Sequence, residues 1–147
     1  MSTPLRLSLA NDLEELERLS LGLEAFCREH GFPPGLTYSL ELALDEIVTN
    51  IILYGRFRVR RNHIELHVEC KKNVIFAHVE DDGVPFNPLL ARKPELDLPL
   101  DQRQRQVGGL GIHLATSIMD KVAYRRTAGK NILEMEKTIP EECALDK

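Results

Sequence analysis

The feature that most constrains the fold is a long apolar segment, from about Leu36 to Tyr54, that ends before Gly55. Apolar residues occupy most of its circumference when it is drawn as a helix, so the helix is predicted to be largely buried. Glu46 and Asn50 are exceptions that lie one turn apart on the same face. A buried carboxylate and a buried carboxamide destabilise a fold unless each has a partner, so these two side chains need an explanation.

Two interpretations of this pair stay open from the helix alone. In the first, Glu46 and Asn50 form hydrogen bonds that tie the helix to a neighbouring element. In the second, they line a cavity, where Asn50 offers its carbonyl oxygen to Mg²⁺ and Glu46 orients or deprotonates a nucleophile.

The other segments predict strands and helices in a mixed order. Leu5, Leu7 and Leu9 alternate as in a strand, and a helix capped by Asn11 or Asp12 follows and stops near Gly31. The later predicted segments are strands at His63–Cys70, Val74–Asp81, Lys121–Thr127 and Asn131–Ile139, a polar loop at Asn87–Val107 and a third helix at about Leu110–Asp120. This order predicts an α+β sandwich, with helices on one face of a mainly antiparallel sheet.

The strand that ends at Asp81 adds a second polar group to the predicted core. Ile75, Ala77, Val79 and Asp81 share one face by the two-residue period of a strand. That small, apolar face is the better candidate for the core side, so Asp81 is expected at the edge of a pocket between sheet and helices. A carboxylate there can accept a hydrogen bond from an exocyclic amine such as that of adenine, and Gly83 permits a close backbone approach. The alternative is a plain Asp-Gly turn.

A third candidate element is the glycine-rich run Gly108-Gly109-Leu110-Gly111, which precedes the third predicted helix. Glycines at a helix start leave backbone N–H groups open, and the helix dipole attracts phosphate there. The preceding loop is long enough to form a lid, at about residues 87–109. The alternative is that the glycines form only a flexible loop end.

Composition limits the classes of function. The chain has 147 residues and is predicted to form a single domain over residues 1–147. Its net charge of −4, without a basic tract, argues against direct nucleic-acid binding. No apolar run reaches the roughly 20 residues of a membrane span, so no membrane association is expected. Three widely spaced cysteines, Cys27, Cys70 and Cys143, fit a reducing compartment, which predicts a cytoplasmic location.

Together these motifs resemble those of a known family. The helix with Glu46 and Asn50 is similar to the N box of the GHKL ATPases. The segments 81–88 and 108–111 resemble their G1 and G2 boxes. The segments that follow, 119–124 and 129–133, resemble those of the bacterial anti-sigma factor serine/threonine kinases. The resemblance implies the Bergerat fold, a two-layer α/β sandwich with three helices on one face of a mainly antiparallel sheet.

The resemblance also implies roles for individual residues. Asn50 is the Mg²⁺ ligand and Glu46 the catalytic acid–base. Asp81 and Gly83 bind the adenine, while the remaining nucleotide-binding residues cradle the phosphates of ATP: Gly108, Gly109, Leu110 and Gly111. The implied activity is phosphorylation of a serine on a STAS-domain antagonist protein, together with binding of a sigma factor by a homodimer. A non-catalytic ATP-binding partner switch and, as a weaker alternative, a histidine-kinase-type catalytic domain stay open.

Overall fold

The computed structural model describes residues 3–54, 63–87 and 115–140. Within these ranges, five strands form one antiparallel sheet in the order β1-β2-β3-β5-β4. The strands are β1 Leu5–Ala10, β2 His63–Lys71, β3 Val74–Asp81, β4 Lys121–Thr127 and β5 Lys130–Thr138. β3 is therefore the central strand, and its last residue, Asp81, lies inside the sheet rather than at an outer edge strand.

Two long helices, α1 Leu16–Glu29 and α2 Pro34–Tyr54, precede β2. A short 3-10 turn leads into α1, and the Asp12 carboxylate caps it by accepting a hydrogen bond from the Glu14 N–H at 3.0 Å. At the other end, the Phe32 N–H bonds the Cys27 carbonyl at 3.0 Å, across Gly31 at a φ of +68°. This left-handed glycine turns the chain sharply, and α2 returns beside α1.

The two-residue period of the strands separates a core face from an outer face. On β3, Ile75, Ala77 and Val79 are buried, as is Asp81, whereas Phe76 and the other alternate residues are partly exposed. The inward face packs against the buried sides of α1 and α2 in one hydrophobic cluster. The predicted orientation of β3, and the predicted α+β sandwich with helices on one face of the sheet, are confirmed.

Several predicted boundaries shift by one or two residues. α2 begins at Pro34 rather than near Leu36, because proline fits the first turn of a helix, where its missing N–H is not needed. The turn between β2 and β3 contains only Lys72 and Asn73, both with positive φ, so β2 extends to Lys71. The third predicted helix is seen over residues 115–118, and its earlier residues lie outside the described ranges. Among the described helices, none is long and apolar enough to span a membrane.

Candidate functional site

Asn50 lies on the buried side of α2, with only 3% of its surface exposed. Its amide nitrogen donates a hydrogen bond to the backbone carbonyl of Glu46, one turn earlier, at 2.7 Å. If the amide were flipped, its Oδ1 would lie 2.7 Å from the Glu46 carbonyl oxygen, and the two oxygens would repel each other. Oδ1 is therefore the atom directed away from the helix backbone. Oδ1 accepts no hydrogen bond from the described residues, and an amide oxygen is a ligand type that Mg²⁺ takes.

Glu46, the predicted catalytic residue, is half-buried on α2. Burial raises the pKa of its carboxyl, and the neighbouring carboxylate of Asp45 raises it further. The hydrogen bond from Asn50 goes to the Glu46 backbone, not to its side chain. The interpretation of Glu46 and Asn50 as residues whose hydrogen bonds tie the helix to a neighbouring element is therefore correct only in part. Asn50 is tied to its own helix rather than to a neighbouring element, and the Glu46 carboxylate stays available.

Asp81 is the second buried polar group, with 4% of its surface exposed. One oxygen, Oδ1, accepts hydrogen bonds from the Gly83 N–H at 2.9 Å and from the Asn131 amide at 3.0 Å. Burial raises the pKa of Asp81, and the two hydrogen bonds offset part of this shift. Both bonds end on Oδ1, which leaves Oδ2 as the acceptor for a ligand amine. The alternative of a plain Asp-Gly turn accounts for the Gly83 bond but not for the burial of Asp81.

Asn131, which the sequence analysis did not single out as a site residue, organises this end of the sheet. Its amide nitrogen donates to Asp81 and, at 2.9 Å, to the Val84 carbonyl. Its carbonyl oxygen accepts from the Phe86 N–H at 3.1 Å and from the Tyr124 hydroxyl at 2.5 Å. Asn131 thus holds both the Asp81 carboxylate and the backbone of the segment that follows it.

A signal for Asn131 existed in the sequence. It shares the two-residue period of Leu133 and Met135, which face the core, so it is a polar residue at an inward position of β5. The register of β3 and β5 then pairs it directly with Asp81. This register depends on pairing between segments that are far apart in the chain, and the strand pattern alone does not reveal it.

Arg126 of β4 supports the same turn from the other side. Its guanidinium donates a hydrogen bond to the carbonyl of Gly83 at 2.7 Å, and its charge lowers the pKa of Asp81, although burial outweighs this effect. Gly83 is consequently bonded through both its N–H and its C=O. The predicted close approach of a ligand to Gly83 would thus occur at a backbone position that is already fixed.

The helix wall and the strand wall meet at one small cavity. It has a volume of about 10 Å³ and is lined by side chains from both layers: Ile51, Val79, Asp81, Phe86, Tyr124, Asn131 and Leu133. Ile51 directly follows Asn50 on α2, so the fold brings the helix that carries Glu46 and Asn50 next to Asp81. A cavity of this size is close to that of a single water molecule, so a nucleobase needs more room than the lining side chains leave in this conformation.

The remaining predicted site residues, Gly108, Gly109, Leu110 and Gly111, lie outside the described residues, as do residues 88–109 of the predicted lid. Within the described ranges, no group of three or more His, Cys, Asp or Glu side chains is placed to hold a metal ion. A Mg²⁺ ion at Asn50 would therefore take most of its other ligands from nucleotide phosphates and water, which is common for Mg²⁺.

Comparison with known proteins identifies relatives over most of the chain. Residues 9–137 match the family described as Histidine kinase-like ATPase domain. The serine/threonine-protein kinase BtrW of Bordetella bronchiseptica is 29% identical over 100 residues, which cover 68% of this chain and 69% of BtrW. The serine-protein kinase RsbW of Listeria monocytogenes is 27% identical over 132 residues, which cover 86% of this chain and 83% of RsbW.

Solved structures agree on the fold. The RsbU and RsbW domains of Rv1364c from Mycobacterium tuberculosis align with a TM-score of 0.68 at 14% identity, over 92% of this chain and 32% of that longer chain. The histidine kinase domain of the blue-light activated histidine kinase EL346 from Erythrobacter litoralis aligns with a TM-score of 0.55 at 14% identity, over 92% and 64% of the two chains. At such identities the likeness establishes the fold alone.

Proposed function

The chain belongs to the histidine kinase-like ATPase domain family, and we propose that it is a serine/threonine protein kinase of the anti-sigma regulatory type. In this proposal it binds Mg-ATP and transfers the γ-phosphoryl group to a serine of a STAS-domain antagonist. It also sequesters a sigma factor, acts as a homodimer and works in the cytoplasm. The names of BtrW, a serine/threonine-protein kinase, and RsbW, a serine-protein kinase, support the activity.

One observation carries the nucleotide site. Asp81 is almost completely buried, yet Asn131 and Gly83 both bond its Oδ1, so Oδ2 is presented as an acceptor. The carboxylate is held in place by these two donors, and the exocyclic amine of adenine is a donor that Oδ2 can accept. Asn50, which precedes the cavity-lining Ile51 on α2, offers its oxygen to the cation that neutralises the phosphates.

The proposed transfer step uses Glu46 as the base. The serine hydroxyl oxygen of the substrate attacks the γ-phosphorus, the bond to the β–γ bridging oxygen breaks, and ADP leaves with that electron pair. The Glu46 carboxylate takes the proton from the hydroxyl, and its raised pKa favours this role near neutral pH. When bound, Mg²⁺ stabilises the charge that develops on the phosphate oxygens. Gly108, Gly109, Leu110 and Gly111 are proposed to bind the phosphates through their backbone, beneath a lid at residues 87–109.

Two substitutions on α2 test the division of roles. Glu46→Gln keeps the size of the side chain and removes the base, so we expect phosphoryl transfer to fall by at least about 100-fold with ATP affinity unchanged. Asn50→Ala removes the proposed cation ligand, so Mg-ATP affinity itself should fall. The measurements are binding of a fluorescent ATP analogue, with and without Mg²⁺, and transfer of labelled phosphate to a STAS protein that binds the chain.

Each outcome distinguishes between the open functions. Transfer by wild type that is lost in Glu46→Gln supports the kinase. Nucleotide binding without any transfer to the STAS protein by wild type refutes the kinase and leaves the non-catalytic ATP-binding partner switch. A wild-type chain that binds neither ATP nor ADP refutes the nucleotide site altogether.

A further inference from the structure

A second concave surface lies on the other flank of α2. It is a groove of about 180 Å³ between α1 and α2, lined by Leu19, Ser20, Leu23, Tyr38, Glu41, Leu42 and Asp45. Glu41 is five residues before Glu46, which corresponds to a rotation of about 140° around the helix axis. Glu41 is therefore directed away from Glu46, whereas Asp45, at the other end of the groove lining on α2, is adjacent to Glu46 and raises its pKa. The proposed function assigns no binding role to the groove itself.

The groove has an apolar floor and an exposed aromatic rim. Leu19 and Leu23 of α1 form the floor and are each about 1% exposed, while Tyr38 at the rim is 67% exposed. Only four residues separate α1 from α2, and so short a connection favours antiparallel neighbours. The channel between two such helices fits a third helix, whose side chains fit between those of the pair.

The charge around the groove is acidic and not neutralised. Glu41 and Asp45 line it and Glu24 lies next to Glu41. In the described part of the chain, none of the three forms an ion pair. Three carboxylates of the sheet differ from them, because Glu69, Glu80 and Glu134 each lie within 4.0 Å of a basic side chain. Three carboxylates without a basic partner among the described residues therefore lie together at one apolar groove, which gives the groove a local negative charge.

The groove carboxylates are also partly desolvated. Burial raises the pKa of Glu41, and the nearby charge of Glu24 raises it further. Burial raises the pKa of Asp45 in the same direction. An incoming cation would relieve both effects, because it supplies the missing opposite charge.

We propose that the α1–α2 groove, formed by the residues named above, docks a basic amphipathic helix of a partner protein. Apolar side chains at positions i, i+3 and i+4 of that helix enter between Tyr38 and the leucine floor, and its Lys or Arg residues pair with Glu24, Glu41 and Asp45. A second copy of this chain is a poor occupant, since it presents the same acidic groove and carries a net charge of −4.

The test uses the full chain and two synthetic helical peptides of about 18 residues, long enough to form helix. One has leucines at i, i+3, i+4 and i+7 with lysines elsewhere, and the other has glutamates in place of the lysines. Fluorescence anisotropy measures both affinities. We expect the basic peptide alone to bind, and Glu41→Lys/Asp45→Lys to weaken it at least about tenfold.

A matched control separates docking from general attraction. Glu14→Lys/Glu29→Lys makes the same change in net charge on exposed residues outside the groove, and it should alter affinity by no more than about twofold. Tyr38→Ala should weaken the basic peptide without any change of charge. Hydrogen exchange should show added protection in α1 and α2 when the peptide is bound.

Any of four results overturns the proposal. The first three concern peptide affinity: the basic peptide does not bind, the groove and control variants lose the same affinity for it, or Tyr38→Ala does not change that affinity. The fourth is a change in the sedimentation of the free protein when the groove charges are reversed. The last would make a second copy the occupant. Nucleotide affinity should be the same in Tyr38→Ala as in the wild type, because Tyr38 lies at the rim of the groove and has no proposed part in the ATP site, so failure here is separate from failure of that site.

Discussion

Replacement of Asn131 should disturb both the stability and the nucleotide affinity of this protein. Its side chain takes part in four hydrogen bonds, to Asp81, Val84, Phe86 and Tyr124. A hydrogen bond to a charged group contributes about 1.5–3 kcal/mol, and one between neutral groups about 0.5–1.5 kcal/mol. Water can partly replace the bonds to Val84 and Phe86, which are half-buried. We therefore expect Asn131→Ala to lower the free energy of unfolding by about 3–5 kcal/mol.

Two further variants separate the parts of this effect. Tyr124→Phe removes one bond to the same Asn131 oxygen and should cost only about 1 kcal/mol. Asn131→Asp keeps that acceptor, but replaces the donor to Asp81 with a second carboxylate at the position that is now 3.0 Å from Oδ1. Repulsion between the two acids should make this variant the weaker ATP binder at pH 7, with affinity partly restored as the pH is lowered.

The assays are urea unfolding, read by circular dichroism, and equilibrium binding of a fluorescent ATP analogue to each variant that stays folded. The m-value should be the same in all four proteins, which would show that the denatured state is unchanged. If Asn131→Ala loses less than about 1 kcal/mol, or if Asn131→Asp binds ATP as tightly as Tyr124→Phe, then Asn131 does not hold the Asp81 carboxylate in place.

Two more predictions concern Asp81 and a pair of glycines. Because burial raises the pKa of Asp81 above its ordinary value of 3.8, the folded state binds this proton more tightly than the unfolded state, and stability falls as the pH rises from 3.8 through the folded pKa. Asp81→Asn should therefore unfold at pH 7 at a urea concentration no lower than that of the wild type, and a clear loss of stability would contradict this. The same variant should bind ATP poorly, because it lacks the proposed acceptor for the adenine amine. Gly31→Ala should destabilise the folded protein by about 1 kcal/mol, because Gly31 has a φ of +68°. Gly35→Ala, in the open first turn of α2, should stabilise it by about 0.5 kcal/mol. Equal shifts in melting temperature would contradict this difference.

Local periodicity was sufficient to orient the main site residues. The four-residue spacing of Glu46 and Asn50 requires only a helix, and the inward direction of Asp81 requires only that β3 alternates. Both features depend only on residues that are close in the sequence, so the periodicity of the sequence is enough to predict them. Asn131 was missed because its role depends on the register of β5 against β3, between residues 50 positions apart. The position of Phe86 and Tyr124 in the lining of the cavity depends on the same pairing and on tertiary packing, so it could not be predicted either.

The surroundings of the two site carboxylates support the different roles that we propose for them. Burial raises the pKa of both Glu46 and Asp81. Asp81 receives hydrogen bonds from Asn131 and Gly83, which fix its orientation and favour its charged form. Glu46 receives no side-chain hydrogen bond from the described residues, and the adjacent Asp45 raises its pKa further. A carboxylate that is fixed in place is suited to bind the amine of a nucleobase. A carboxyl group with a raised pKa and no hydrogen-bond partner is suited to transfer a proton. Such differences in environment distinguish a binding carboxylate from a catalytic one.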